Sequence, residues 1–205
     1  MQSIDYYFSL LSPFTYLAGT ELERIAEKHG AAVRYKPIDI LELFAETGTL
    51  PPARRHWSRQ VYRLQELNRI SRARGLPINE KPAHWPTDAS NAAMAVIAAR
   101  EAGQPVGEFV HALLRGVWRE DRDISDLETV AQIARDAGVD PNAATDASDR
   151  AGRTYRENTA EAVKRGVFGS PFYFVGDERF WGQDRLASLD DHLSSLSAMT
   201  RRRDR

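Results

Sequence analysis

The chain of 205 residues contains no cysteine. It therefore forms no disulfide, no thiolate metal site and no redox couple from its own thiols. Any sulfur nucleophile in its chemistry has to be brought by a ligand. The five histidines are distributed without the close spacing that zinc sites typically show, so we predict no metal site.

Long apolar runs and an excess of charge of one sign are also missing. No run approaches the roughly 18 to 20 apolar residues of a membrane span, and the first residues, MQSIDYYFSLL, show no pattern of a signal peptide. The formal net charge of −1 gives no field for general nucleic-acid binding. We expect a cytoplasmic protein without a membrane or nucleic-acid partner.

The two ends of the chain carry the strand patterns. Residues 3–9 alternate as a strand, Ser12 and Pro13 open a helix that runs to Gly30, and residues 31–38 form a second strand. Near the other end, residues 172–175 and 179–181 flank the turn Gly-Asp-Glu as a hairpin, and an amphipathic helix follows.

Between these ends, residues 39–165 show helical spacing interrupted by loops. One helix is spaced by Trp57, Val61, Leu64, Leu67 and Ile70, and a capping box from Ser125 to Glu128 opens another. The order predicts an α/β domain of residues 1–38 and 166–200 with about four strands and helices on both faces. Residues 39–165 are its helical insertion, and residues 201–205 are a basic tail.

The stretch Ser12-Pro13-Phe14-Thr15 lies where the first strand meets the first helix. Serine followed by proline is typical of a helix N-cap. Some redox enzymes keep a Cys-x-x-Cys pair at such a corner, and here a serine occupies the first position.

Two motifs resemble those of 2-hydroxychromene-2-carboxylate isomerases: SPFTYL after the first strand, and VFGSPFYFVGDERFWGQDRL at 167–186. In the middle of the chain the resemblance is supported by three short matches: PPARR, PAHWP and Trp118. The resemblance implies a thioredoxin-like fold with a DsbA-like all-helical insertion, related to kappa-class glutathione transferases. It also implies glutathione as the cofactor and a homodimer.

The resemblance further implies a glutathione site. Ser12 contacts the sulfur as the catalytic residue, Pro171 is cis, and the backbone of Ser170 binds the peptide. The γ-glutamyl end is held by the turn that follows the hairpin, where glutamine replaces the asparagine or serine common in the family. The residues of that turn are Trp181, Gly182, Gln183 and Asp184.

Candidates for binding a second, aromatic substrate follow from the same comparison. Phe14, Trp85 and Trp118 offer apolar walls, although core packing is the simpler interpretation of both tryptophans taken alone. The loop 45–52 has no lysine or asparagine, so Thr49 and Arg54, or its neighbour Arg55, are the candidates for a substrate carboxylate. A structural His84 and a solvated arginine-rich face over 53–74 are the simpler interpretations of those residues.

The implied activity is cis–trans isomerisation of an aromatic pyruvate by reversible thiolate addition, in the degradation of aromatic compounds. A free thiol titrates at about 8.5, and a hydroxyl donor with the dipole of a helix N-terminus favours its ionised form. Two alternatives remain: a kappa-like glutathione transferase or peroxidase, and a non-catalytic DsbA-like binding protein.

Overall fold

The computed structural model describes residues 2–142 and 149–203, the last four by their backbone alone. The strands are β1 (Ser3–Phe8), β2 (Ala32–Pro37), β3 (Phe172–Val175) and β4 (Glu178–Trp181). The helices are α1 (Pro13–Ala18), α2 (Glu21–His29), α3 (Ile40–Thr47), α4 (Trp57–Arg74), α5 (Ser90–Glu101), α6 (Gly107–Trp118), α7 (Leu127–Asp136), α8 (Asp149–Lys164) and α9 (Leu186–Arg203). Two 3₁₀ turns cover Pro52–Arg54 and Gln183–Arg185.

The four strands form one mixed sheet in the order β2-β1-β3-β4. β1 is parallel to β2 and antiparallel to β3, and β3 and β4 form the predicted hairpin. Tyr7 of β1 pairs with Phe172 of β3. Because these strands run in opposite directions, the loop that leaves β1 and the residues that precede β3 meet at one edge of the sheet.

Side chains of β1 alternate between two hydrophobic layers. Ile4, Tyr6 and Phe8 belong to the larger core cluster, together with residues of α1, α2, α6 and α9. Tyr7 points to the other face and packs with Phe172 and residues of α3 and α8. Helices therefore cover both faces of the sheet, as the strand pattern predicts.

The helical insertion shares the larger core with the sheet. Trp118 of α6 is 1% exposed, and its indole N–H donates to the Leu10 carbonyl oxygen at 3.1 Å. Within the described part of 39–165 the structure contains helices and turns and no strand. The residues after β1 are thus held in place by the insertion.

The predicted first helix is in fact two helices. α1 ends at Ala18 and α2 begins at Glu21, because Gly19 adopts φ +60°, a conformation that glycine takes without steric cost. The apolar residues Leu17 and Ile25, one in each helix, are both fully buried.

The predicted capping box of α7 is wrong by one residue. Asp126 is the N-cap, and its carboxylate accepts from the Thr129 N–H at 3.0 Å. The Ser125 hydroxyl instead donates to Asp123 at 2.7 Å. A charged acceptor makes the stronger hydrogen bond to the first-turn amide, which explains the preference for the aspartate.

Two further observations concern the whole described chain. No described helix combines the length and apolar character that crossing a membrane requires. The predicted basic tail is partly helical, since α9 continues to Arg203, and residues 204–205 lie outside the described residues.

The last helix docks on α2 through Asp190. Its carboxylate accepts from the Lys28 ammonium at 2.8 Å and contacts His29 Nε2 at 2.5 Å. These hydrogen bonds lower the pKa of Asp190 below its ordinary value. A carboxyl whose pKa is lower in the folded state stabilises the fold above the pKa of the unfolded state, near 4, and loses that effect as the pH falls through the folded-state pKa.

We therefore expect Asp190→Asn to lower stability at neutral pH by about 1 kcal/mol, or Tm by about 2–4 °C. The difference from the wild type should shrink below about pH 4. Thermal unfolding at several pH values measures both. Asp191→Asn, the exposed next residue, is the control, and an equal effect of the two substitutions would contradict the assignment.

Candidate functional site

Ser12 lies at the junction of the β1 loop and α1. It is the N-cap, as predicted, and its hydroxyl oxygen accepts from the Thr15 N–H at 3.3 Å. The same hydroxyl donates to the Ser170 carbonyl oxygen at 3.0 Å, across 158 residues of sequence. Ser12 is 9% exposed, so its hydroxyl sits at a largely buried corner with its proton directed to Ser170.

Ser170 is held from two other directions. The peptide bond to Pro171 is cis, as the resemblance implies. The Ser170 hydroxyl oxygen accepts from the Ser9 N–H at 2.8 Å and is hydrogen-bonded to the Thr15 hydroxyl at 2.8 Å. Ser9 and Thr15 were not predicted as site residues, although Thr15 occupies the fourth position of the Ser12 corner.

The first turn of α1 offers one further donor. Pro13 has no N–H, and the Thr15 N–H is used by Ser12. The Phe14 N–H remains as the first-turn amide for which no described residue provides an acceptor. Because α1 has only six residues, its dipole is weaker than that of the long helix expected from the sequence, and local donors matter more.

The turn after β4 lies next to this corner. The Gly182 N–H donates to the Pro171 carbonyl oxygen at 2.9 Å, which fixes the turn to the cis peptide. Trp181 is 51% exposed and packs edge-on against Phe168, with ring centroids 4.8 Å apart. Asp184 is exposed and 3.2 Å from its neighbour Arg185.

Gln183 is bound by a residue that the sequence did not single out. It is buried, and its backbone and side-chain oxygens accept from Arg74 at 2.9 and 3.3 Å. Arg74 also donates to the Ala18 carbonyl oxygen at the end of α1. The Gln183 side chain therefore stabilises the turn from inside, and Asp184 is the exposed acidic side chain of the turn.

Gly169 allows a test of whether the exposed Trp181 side chain contributes to ligand binding. A Cβ atom at Gly169 would lie 2.5 Å from Trp181 Nε1, so alanine has to push the indole aside. For glutathione, the ligand that the family resemblance implies, we expect Gly169→Ala to weaken binding about tenfold, the cost of a moderate steric conflict.

Calorimetric titration with glutathione measures this effect. Gly152→Ala in α8 is the control, since its Cβ would meet only ordinary contacts such as the Met94 sulfur at 3.5 Å. Unchanged glutathione affinity in Gly169→Ala would show that the indole does not contribute to the site.

The two tryptophans predicted as substrate walls have different surroundings. The Trp85 indole donates to the Leu11 carbonyl oxygen at 3.1 Å, immediately before Ser12, and its ring is only partly buried. Trp118 lies 5.6 Å behind it and is fully buried. Trp118 is therefore a core residue that packs behind Trp85. Only the Trp85 ring has a surface that a substrate could contact. Phe14 is partly buried and packs on the same core.

The candidates for a substrate carboxylate make only local contacts near α3 and the first 3₁₀ turn. The Thr49 hydroxyl is hydrogen-bonded to Thr47 just after α3, and Arg54 is exposed in a 3₁₀ turn. Arg55 is partly buried, and its Nε donates to the Leu50 carbonyl oxygen at 2.8 Å. Among the described residues, none of these side chains has a hydrogen bond or ion pair with the Ser12 corner.

Three other features lie outside the corner. His84 is exposed in its loop, 3.7 Å from Asp123. A surface cleft of about 440 Å³ borders Arg74, Gln183 and Asp184 but not Ser12, so it touches the predicted site only at the end of the turn. Within the described ranges, no group of three or more acidic, histidine or cysteine side chains is placed to hold a metal ion.

A mixed four-stranded sheet, a helical insertion and a cis proline beside an N-cap corner define a thioredoxin-like protein of the DsbA type. The family model of the DSBA-like thioredoxin domain matches residues 3–194, and the chain belongs to that family. It is 34% identical to a 2-hydroxychromene-2-carboxylate isomerase of Sphingobium xenophagum over 94% of this chain and 98% of that protein.

Two further comparisons agree with this placement. A solved structure of a 2-hydroxychromene-2-carboxylate isomerase matches 97% of both chains with a TM-score of 0.82 and 29% identity. A glutathione S-transferase kappa 1 of Caenorhabditis elegans is 24% identical over 93% of this chain and 90% of its own length. The predicted fold and the resemblance to the isomerases are confirmed.

Proposed function

We propose that this protein is a glutathione-dependent isomerase of the 2-hydroxychromene-2-carboxylate type, acting on an aromatic pyruvate. The observation that carries the proposal is the contact between Ser12 and Ser170 at the cis proline. It puts a hydroxyl, rather than a thiol, at the corner of a thioredoxin-like fold. Similarity to isomerases over almost the whole chain supports the reaction type.

The groups around this corner fit a thiol-containing peptide. The Ser12 hydroxyl and the Phe14 N–H can both donate to a thiolate. The backbone of Ser170 precedes the β ladder, which starts at Phe172, and can pair with an extended peptide. The turn over Trp181–Asp184 adds an exposed indole and a carboxylate suited to an amine.

When bound, glutathione would supply a thiolate that adds reversibly to the conjugated double bond, so that the bond can rotate before the thiolate leaves. The role of this chain is to keep the sulfur ionised near neutral pH and to hold the partner double bond next to it. A serine does this without the mixed disulfide that a cysteine at the same position could form.

The Ser12 hydroxyl has a single proton, which it donates to Ser170 in this structure. To donate to sulfur, the hydroxyl has to rotate away from that carbonyl. A peptide N–H that pairs with the Ser170 carbonyl oxygen takes over as its donor and frees the Ser12 proton. The network of Ser9 and Thr15 keeps Ser170 in place while this exchange occurs.

On the substrate side, Trp85 is proposed as the main apolar surface. Its indole N–H donates to the carbonyl oxygen of Leu11, the residue that precedes Ser12. Phe14 adds a second apolar surface at the start of α1. In this proposal Thr49 and Arg54 line the outer end of the substrate site. Trp118 acts indirectly, by supporting the ring of Trp85.

Product analysis tests the proposed reaction. The protein, catalytic labelled glutathione and 2-hydroxychromene-2-carboxylate are incubated until many equivalents have reacted. Isomerisation predicts conversion to the open aromatic pyruvate with all label recovered as free glutathione. Conversion without any need for glutathione would contradict the proposal.

The similarity to a kappa-class glutathione S-transferase makes conjugation the second candidate. A transferase consumes glutathione in proportion to product and leaves the label in a thioether. The same incubation therefore distinguishes the two activities.

A further inference from the structure

Arg63 is a partly buried cation next to Trp85. It lies one helical turn before Leu67, which is fully buried, so it is on the face of α4 that packs toward the domain. Its guanidinium carbon lies over the Trp85 ring, 5.8 Å from the ring centroid, at the outer range of a cation–π contact. Since Trp85 holds the Leu11 carbonyl oxygen, Arg63 and Ser12 are linked through one aromatic side chain.

The guanidinium of Arg63 has no anionic or hydrogen-bonding partner among the described residues. Three other arginines of this region have polar partners: Arg69 with Glu66, Arg74 with two carbonyl oxygens, and Arg55 with Leu50. The remaining ones, Arg54, Arg59 and Arg72, are exposed to water, whereas Arg63 is partly buried. The nearby charge that acts on Arg63 is the positive charge of Arg55. Burial, and then Arg55, lower the pKa of Arg63.

An arginine that is partly withdrawn from water without a counter-ion is costly for the fold. The arrangement is favourable once an anion arrives, because a guanidinium binds a carboxylate through two parallel hydrogen bonds. The stacking surface of Trp85 next to it suits an aromatic or conjugated group on the same ligand. A flat acid with its carboxylate at one end satisfies both.

We propose that Arg63 binds the carboxylate of the second substrate while the conjugated part of that substrate lies on Trp85. Arg63 thereby selects acids over neutral compounds of the same shape and sets the distance between the carboxylate and Ser12. It takes the role that the sequence suggested for the exposed Arg54. This inference rests on the proposed function, but its test requires no turnover.

Equilibrium binding of trans-cinnamate and of cinnamamide tests it, followed by quenching of tryptophan fluorescence. The wild type should bind the acid about tenfold or more tightly than the amide, as expected for a charge-assisted pair. Arg63→Met should remove this preference, and Arg63→Lys should restore part of it. Arg59→Met, an exposed arginine one turn earlier, should leave the preference unchanged.

The inference is overturned if the wild type binds the two compounds equally or binds neither. It is also overturned if Arg63→Met keeps the preference with an unchanged Tm. If Arg63→Met does not fold, Arg63→Lys provides the test. A folded Arg63→Lys that binds cinnamate and cinnamamide equally would contradict binding of the carboxylate by a positive charge at this position.

Failure of the proposed function gives a different pattern. In that case the protein shows no glutathione-dependent conversion of 2-hydroxychromene-2-carboxylate, while the cinnamate preference still depends on Arg63. Conversely, if the isomerase is active, Arg63→Met should raise the KM for the acid about tenfold and leave the KM for glutathione unchanged.

Discussion

Ser12→Ala is expected to reduce kcat of the proposed glutathione-dependent reaction by about two orders of magnitude, the usual effect of removing one preorganised donor. The alanine cannot donate to the sulfur, so a smaller fraction of bound glutathione is ionised at neutral pH. Glutathione affinity should change by less than about tenfold, because in the proposed site the Ser170 backbone and the turn at 181–184 provide the other contacts to the peptide.

This substitution also removes the N-cap of α1, a loss of about 1 kcal/mol. Asp126→Ala removes the N-cap of α7 in the same way. The Asp126 carboxylate bonds to Thr129 and not to the described residues of the corner, so this substitution should lower stability without lowering kcat. Steady-state kinetics and thermal unfolding of both variants separate catalysis from capping. A Ser12→Ala enzyme with the kcat of the wild type would eliminate Ser12 from the chemistry and favour the binding-protein alternative.

Trp118→Ala is expected to have the largest effect on stability. The side chain is 1% exposed, lies in the core shared by sheet and insertion, and donates a hydrogen bond to Leu10. Its truncation should cost about 3–5 kcal/mol, a large part of the total stability of a typical domain. The segment from Leu10 to Ser12 also loses its support, so activity should fall as well.

Urea unfolding of three variants tests this assignment. Trp85→Ala should lose less stability and mainly affect binding of the acid substrate, because its ring is only partly buried. Trp57→Ala, whose side chain is 70% exposed, should be close to the wild type in both. If Trp118→Ala and Trp57→Ala unfold at the same urea concentration, the packing role of Trp118 is wrong.

Much of the architecture follows from local patterns. Alternation in β1 predicts which side chains face each layer, and Gly75 ends α4 with φ +63° as a helix stop does. Gly19 was missed because helical residues lie on both sides of it, and only the backbone shows its positive φ. The spacing of α4 predicts a helix but not that Trp57 at its start is exposed.

The site is less accessible to local reasoning because its contacts join distant parts of the chain. Ser12 and Ser170 meet through the antiparallel pairing of β1 and β3. The resemblance to a family, rather than spacing, assigned both residues to one site, and their direct hydrogen bond was not predicted. Arg74 gave no sequence signal. Arg63 lies four residues before Leu67, a position on the apolar face of the predicted helix. The many arginines around it nevertheless favoured the interpretation of this stretch as a solvated face.

The pKa of the bound glutathione thiol tests the central claim most directly. Ultraviolet absorbance of the thiolate, titrated with saturating glutathione, should give a pKa about one unit below the free value of about 8.5 for the wild type. In Ser12→Ala the pKa should return toward the free value. A bound thiol that titrates like free glutathione, or identically in the two proteins, would contradict the account.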